Sequence, residues 1–184
     1  MCRKLSYMLR HGASLAGLHI RPDGFIKVND LLSHKDFRSF SVDSLQTIVF
    51  TDDKNRYKLI KDSGEFYIRA NQGHSVEGIQ DDLMLTPITT PLQTCFHATY
   101  QKYIEAIKAT GLSVMNRKHI HMSTSLDSKS GKRANCDILI YIDMEKAMND
   151  SISFYRSDND VILTSGKNGI LHPKYFQKIE IKTI

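Results

Sequence analysis

Arg10 and His11 stand side by side where a segment with Leu5, Met8 and Leu9 at helical spacing comes to an end. A fixed cation beside a titratable imidazole can hold an anion and move a proton, which is what phosphoryl chemistry needs. Spacing alone favours a plainer account, in which both groups complement the negative end of the helix dipole. Arg69 closes a strand-like run and leads into Asn71-Gln-Gly-His-Ser75, where Asn71, Gln72 and His74 supply donors and Gly73 lets backbone amides approach a phosphate. A solvated strand-end arginine accounts for that position slightly better. In Ser130-Gly-Lys-Arg133 the arginine can fork two phosphate oxygens and Lys132 adds a point charge beside Gly131, although an ordinary basic loop explains it nearly as well. His119 and His121 alternate as strand residues do. With no third ligand nearby in sequence, they suit packing or a ligand hydrogen bond better than zinc.

These groups need elements to hold them. The first helix is expected to end at Arg10-His11, with Gly12 as its left-handed stop. Pro22-Asp-Gly24 makes a turn, and Phe25, Val28, Leu31 and Leu32 suit a strand edge passing into a helix. Asp43 to Phe50 reads as a further helix with Ser41 as N-cap. Arg56 to Ile60 and Glu65 to Ala70 flank Lys-Asp-Ser-Gly as a hairpin. Three short helices closed by a hairpin predict a winged-helix lobe. Leu85 to Leu92 holds two of the four prolines and no charge, which suits a connection, with the boundary between Pro87 and Pro91. Beyond it the pattern predicts a helix from Gln101 to Ala109 stopped by Gly111 and a helix near Met144 to Met148. Strands are expected around His119, from Cys136 to Asp143, at Ser153 to Arg156, at Asp160 to Thr164 and at Lys178 to Lys182. Many short strands with few helices give a mixed, mainly antiparallel second lobe. The fold class is therefore α+β, with lobes at 1–86 and 92–184.

Of the 184 residues, 41% are hydrophobic and 24% charged, enough for a real core, and the net charge of +5 permits a polyanionic partner without demanding one. No run of eighteen uncharged apolar residues occurs and no basic-then-apolar leader follows Met1, so the chain reads as soluble and untargeted. Cys2, Cys95 and Cys136 form no C-x-x-C pair, which speaks against a disulfide framework and for a reducing compartment.

Taken in order, Leu5-Ser-Tyr-Met-Leu-Arg-His-Gly12, Asp23-Gly-Phe-Ile-Lys-Val28, Ile68-Arg-Ala-Asn-Gln-Gly-His-Ser75, His97-Ala-Thr99, His119-Ile-His121 and Ser130-Gly-Lys-Arg133 resemble the motifs of the tRNA/RNA 2′-phosphotransferase family. The likeness continues through Phe154-Tyr-Arg-Ser157, Val161-Ile-Leu-Thr164 and His172-Pro-Lys-Tyr-Phe176, and its wording is closest to eukaryotic members. The resemblance implies a winged-helix RNA lobe followed by an ADP-ribosyltransferase-like lobe that binds NAD. It implies a catalytic set of Arg10, His11, Arg69 and Arg133. It also implies nucleotide contacts at His97, Ala98, Thr99, His121, Ser123, Gly131 and Arg133, and RNA contacts at Arg10, His11, Arg69, Asn71, Gln72 and His74. Two positions depart from the pattern. Ala98 replaces the glycine of a His-Gly-Thr motif, where a methyl group would crowd a close nucleotide or resist a positive φ. Ser151 follows Asp150 where relatives commonly have glycine.

The implied reaction has two steps. The RNA 2′-phosphate attacks the anomeric carbon of the nicotinamide ribose of NAD, and that ribose's 2″-hydroxyl then attacks phosphorus. The products are repaired RNA, nicotinamide and ADP-ribose 1″,2″-cyclic phosphate. The nucleophile is already an anion, so the set needs no carboxylate base, and arginines supply charge without a metal. His11 is the member able to move a proton near neutral pH. The implied partners are 2′-phosphorylated RNA, spliced tRNA foremost, and NAD, with a monomer in the cytoplasm or nucleus and no membrane contact. Two rivals remain open: a winged-helix RNA-binding protein whose second lobe has lost turnover, and a transferase that caps terminal nucleic-acid phosphates with ADP-ribose.

Overall fold

The computed structural model describes residues 2–132 and 135–182, and the chain divides into two compact units, Met1–Met84 and Leu85–Ile184. Both mix helices with sheets, and every strand pairing among the described residues is antiparallel, so the α+β class holds. No helix among those residues is long and apolar enough to cross a membrane.

The first unit begins with helix α1 (Cys2–Tyr7), which runs directly into a π-helical turn at Met8–Gly12. Strand β1 (Ile26–Lys27) leads into α2 (Val28–Ser33), and α3 (Val42–Thr51) precedes a hairpin of β2 (Tyr57–Asp62) and β3 (Glu65–Ala70). The sheet has the order β1-β3-β2. Ser41 caps α3 as expected, through a reciprocal box in which its hydroxyl accepts from the Ser44 amide and the Ser44 hydroxyl accepts from the Ser41 amide. Leu5, Leu9, Leu31, Phe37, Leu45 and Ile68 are fully buried and form the core that α1, α2, α3 and β3 share.

The end of the first helical stretch differs from expectation. Gly12 is not the left-handed stop, because the backbone stays right-handed through Ala13 at φ −55° and ψ −51°. Gly17, at φ +71°, takes that role. The Leu18 amide donates to the Ala13 carbonyl at 2.9 Å and the Gly17 amide to Ser14 at 3.1 Å, the double closure of a Schellman end. Gly12 instead leaves clearance: a Cβ there would come within 2.9 Å of the Tyr7 ring, which would have to shift.

The second unit contributes β4 (Thr86–Ile88), β5 (Phe96–Thr99), α4 (Ile104–Thr110), β6 (Leu112–Ser113), β7 (Ile120–Met122), β8 (Ile138–Ile142), α5 (Met144–Asn149), β9 (Phe154–Arg156), β10 (Ile162–Thr164), β11 (Ile170–Leu171) and β12 (Phe176–Ile181). One sheet has the order β4-β9-β10-β7 and another β12-β8-β5. They meet where Phe96 and Ser123 exchange backbone hydrogen bonds, both at 2.9 Å. The proline-bearing stretch read as a connection supplies β4, an edge strand where a missing N–H is tolerated. Ile138, Ile140, Met122, Phe154 and Ile162 fill the space between the sheets' inner faces and α5. Cys95 and Cys136 are buried free thiols, and burial pushes the Cys95 thiol up to about 12.

Candidate functional site

In the first unit the π-helical turn carries Arg10 and His11. A π turn holds an extra residue per turn and re-aims the side chains it bears, and such turns recur at functional positions. The turn packs against β3. The loop leaving β3 fastens it twice: the Ser75 amide donates to the Arg10 carbonyl at 2.9 Å, and the Ser75 hydroxyl lies 2.8 Å from His11 Nδ1. One imidazole nitrogen is thus fixed by a hydroxyl, which sets the ring plane and leaves Nε2 as the outer nitrogen.

Arg69 is not a solvated strand-end residue, being only 5% exposed. Its position follows from register. Ile26 pairs with Ile68 and Lys27 with Tyr67, which sets Phe25 opposite Arg69. The guanidinium sits 4.8 Å from the Phe25 ring centroid, and Nη1 donates to the Asp23 carbonyl at 2.9 Å. A cation–π contact and a carbonyl together hold the arginine in one orientation without an acid to neutralise it at those two points. Arg21 lies 5.7 Å from the same Phe25 ring, tied to Asp23 at 2.8 Å and Asp62 at 3.1 Å.

The RNA-facing residues expected on the loop separate into two kinds. Asn71 is buried, and it donates from Nδ2 to the Asn55 carbonyl at 2.7 Å while its amide donates to the Arg56 carbonyl at 2.8 Å. It is a brace for the turn before β2 rather than a surface group. His74 is also buried, beside Gly24. Gln72 is half-buried and Ser75 exposed. The structure therefore brings Arg10, His11 and Ser75 together and sets Arg69 on the strand that packs against their turn, its guanidinium at Phe25 and Asp23, while Asn71 braces the start of the loop.

A cleft of about 300 Å³ opens beside Arg10 and His11, lined by these two with Arg3, Ser6, Tyr7 and Arg56. Arg3 and Arg56 escaped the sequence reading. Arg56 lies just before β2, where its guanidinium and its amide both bond the Asp52 carboxylate. Only the i, i+4 spacing of Asp52 and Arg56 hinted at this, and they span a turn rather than a helix.

In the second unit, β5 and β7 bring His97, His121 and Ser123 together. His97 Nδ1 donates to the His121 carbonyl at 2.9 Å, which in the neutral ring leaves Nε2 as the acceptor. The Ser123 hydroxyl is buried and donates to the Ser125 carbonyl at 3.0 Å, so it shapes the following loop. Gly131 closes on the end of β7: at φ +79° its α-carbon is so near that a Cβ would lie 2.5 Å from the Met122 carbonyl oxygen. Asn159 donates to the Ser130 hydroxyl at 3.4 Å, joining this loop to the turn between β9 and β10. Thr99 is buried. Arg133 lies outside the described residues.

Ala98 fits its strand without backbone strain. It is not among the residues with positive φ, and its side chain packs with Phe96, Cys136 and Leu139 on the opposite side of β5 from His97. Ser151, by contrast, sits at φ +63° directly after α5. Its amide donates to Met148 at 2.9 Å and the Ile152 amide to Ala147 at 3.0 Å, a second Schellman end with serine where glycine is preferred.

A family model described as RNA 2′-phosphotransferase, Tpt1 / KptA family, matches residues 1–166. The chain is 45% identical to tRNA 2′-phosphotransferase 1 of Danio rerio, over 98% of this chain and 84% of that protein. It is 40% identical to tRNA 2′-phosphotransferase 1 of Homo sapiens, over 97% of this chain and 74% of that protein. The tRNA 2′-phosphotransferase of Saccharomyces cerevisiae is 34% identical, with 99% of this chain and 83% of that protein aligned.

Proposed function

Because the chain belongs to the RNA 2′-phosphotransferase family, we propose that this transferase removes the internal 2′-phosphate of spliced tRNA in a reaction that consumes NAD. The observation that carries this reading is the arrangement around Arg69: a buried guanidinium held by Phe25 and the Asp23 carbonyl, on a strand packed against the turn that bears Arg10 and His11.

In this reading the first unit is the winged-helix-like RNA lobe, assigned to 1–86, and the second, assigned to 92–184, is the ADP-ribosyltransferase-like lobe. NAD supplies an electrophilic anomeric carbon and a neutral leaving group. The groups on β5 and β7 suit a dinucleotide, since His97 presents Nε2 as an acceptor for a hydroxyl and the predicted contacts include no carboxylate to repel a pyrophosphate. His97, Ala98, Thr99, His121, Ser123 and Gly131 would hold it, with Ala98 contributing backbone rather than side chain.

Arg10 and Arg69 orient the 2′-phosphate dianion, and their fixed geometry lowers the entropic cost of alignment. Charge that builds on the phosphoryl oxygens in the second step is met by the same guanidiniums and by Arg133. His11, its Nδ1 side fixed by Ser75, moves the proton of the attacking or leaving hydroxyl through Nε2. No step calls for a metal, so turnover is expected to persist in chelator.

The test is to incubate the protein with NAD and an oligonucleotide bearing an internal 2′-phosphate and to identify products. ADP-ribose 1″,2″-cyclic phosphate and free nicotinamide are expected. A stable ADP-ribose cap on a terminal phosphate would assign a capping transferase instead, and RNA binding without nicotinamide release would assign a binding protein.

A further inference from the structure

We infer that the cleft beside Arg10 and His11 is a subsite for the 3′ side of the RNA strand: Arg3 and Arg56 hold the phosphodiester next to the 2′-phosphate, and Tyr7 stacks the base that follows. The inference rests on the function proposed above. An internal 2′-phosphate always shares its ribose with a 3′-phosphodiester, so a site that takes the first anion must place the second within one nucleotide of it.

The cleft is built for that second anion. Arg3, Tyr7 and His11 recur every fourth residue along α1 and the π turn, and Ser6 and Arg10 form the adjoining row, so both rows share one surface. Arg56 reaches the same cleft from the turn before β2, aimed by its bonds to Asp52 and backed by the Asn71 brace on its carbonyl. Among the described residues, the cleft's lining holds three arginines, Arg3, Arg10 and Arg56, and no acid, with Asp52 and the more distant Asp53 pairing with Arg56. The volume of about 300 Å³ lies at the lower end of ligand sites, which suits one nucleotide.

Tyr7 supplies what a simple anion site would not need. Tyr7 is 56% exposed, and its ring lies 5.9 Å from the His11 ring. Gly12 leaves room for the ring where it stands, since a Cβ there would lie 2.9 Å from it. A flat, exposed aromatic beside cations is the usual platform for an unpaired base. The Ser6 hydroxyl contacts the Tyr57 hydroxyl at 2.5 Å and pins the floor of the cleft to β2.

The experiment compares two substrates, a dinucleotide with the 2′-phosphate on its 3′-terminal ribose and the same molecule extended by one nucleotide on the 3′ side. Wild-type protein is expected to favour the extended substrate by about ten-fold or more in kcat/KM, the size of one base–aromatic stack. Arg3→Ala and Tyr7→Leu, both at exposed positions, are expected to bring that ratio most of the way to one. A wild-type ratio near one, or equal losses on both substrates in the variants, overturns the subsite. If wild-type protein turns over neither substrate, the proposed function fails and the subsite is judged by fluorescence anisotropy with the labelled 2′-phosphorylated trinucleotide. Arg3→Ala should then lower the slope of log K against log salt by about 0.7, and Tyr7→Leu should weaken binding with no change in slope. Unaltered binding in both variants, or none by the wild type, sinks it.

Discussion

The two units hold their candidate groups by different means. In the first, side chains hold side chains: Phe25 carries Arg69, Ser75 fixes His11, and Asp52 aims Arg56. In the second, backbone does the holding. His97 is set by the His121 carbonyl, the sheets are joined by Phe96 and Ser123, and Gly131 presses on the Met122 carbonyl. A ring and a carbonyl fix the direction of Arg69, whereas a carboxylate fixes that of Arg56. A site for a larger molecule needs shape as well as charge, and paired strands supply the shape.

If this contrast is right, substitutions in the first unit act on turnover and those in the second act on fold and cofactor affinity. The largest effect is expected for Arg69→Ala, a loss of about 10² to 10³ in rate with ADP-ribosylated RNA accumulating, and lysine should not restore it because it cannot fork two oxygens. Normal turnover by that variant would remove Arg69 from the chemistry. Next comes Gly131→Ala, which sets a Cβ against a carbonyl at φ +79° and should cost about 1–3 kcal/mol of stability and raise the KM for NAD. Thermal unfolding at the wild-type temperature would show that the loop yields. Phe25→Leu should lose the cation–π contact, about 0.5–2 kcal/mol, and slow turnover several-fold while the KM for NAD stays unchanged. Ser151→Gly should raise Tm by about 2–4 °C, as relief of about 1 kcal/mol of left-handed strain in a chain of this size predicts, and leave the rate alone. Smallest of all is Ala98→Gly, expected to lower stability by about 0.5–1 kcal/mol through chain entropy with no improvement in the KM for NAD. A clear gain in NAD affinity would mean that the methyl group crowds the nucleotide after all.

What the sequence disclosed and what it withheld follow one physical line. Local signals were readable: the Ser41 cap, the Ser63-Gly64 hairpin, the stop at Gly111 and the α5 segment each depend on a few neighbouring residues. Arg10, His11 and Arg69 were visible through their motifs. Their supports were not, because Phe25 meets Arg69 only once β1 pairs with β3 across some forty residues of chain. For the same reason Asn71 looked like a surface donor until its partner, the Asn55 carbonyl, was placed. Gly12 misled because glycine serves both as a helix stop and as clearance for a ring, and only packing against Tyr7 tells the two apart. Two-residue strands such as β6 and β11 are too short to carry a period.

The wide turn at Met8–Gly12 also acts as a phase setter. An ordinary α-helix turns about 100° per residue, whereas a turn holding one residue more delays the winding of everything after it. Excising a single residue of the turn ahead of Arg10 would therefore leave α1 intact yet swing Arg10 and His11 by about 100° around the helix axis, away from the cleft they line. In this protein the angular address of both side chains is written by one surplus peptide unit.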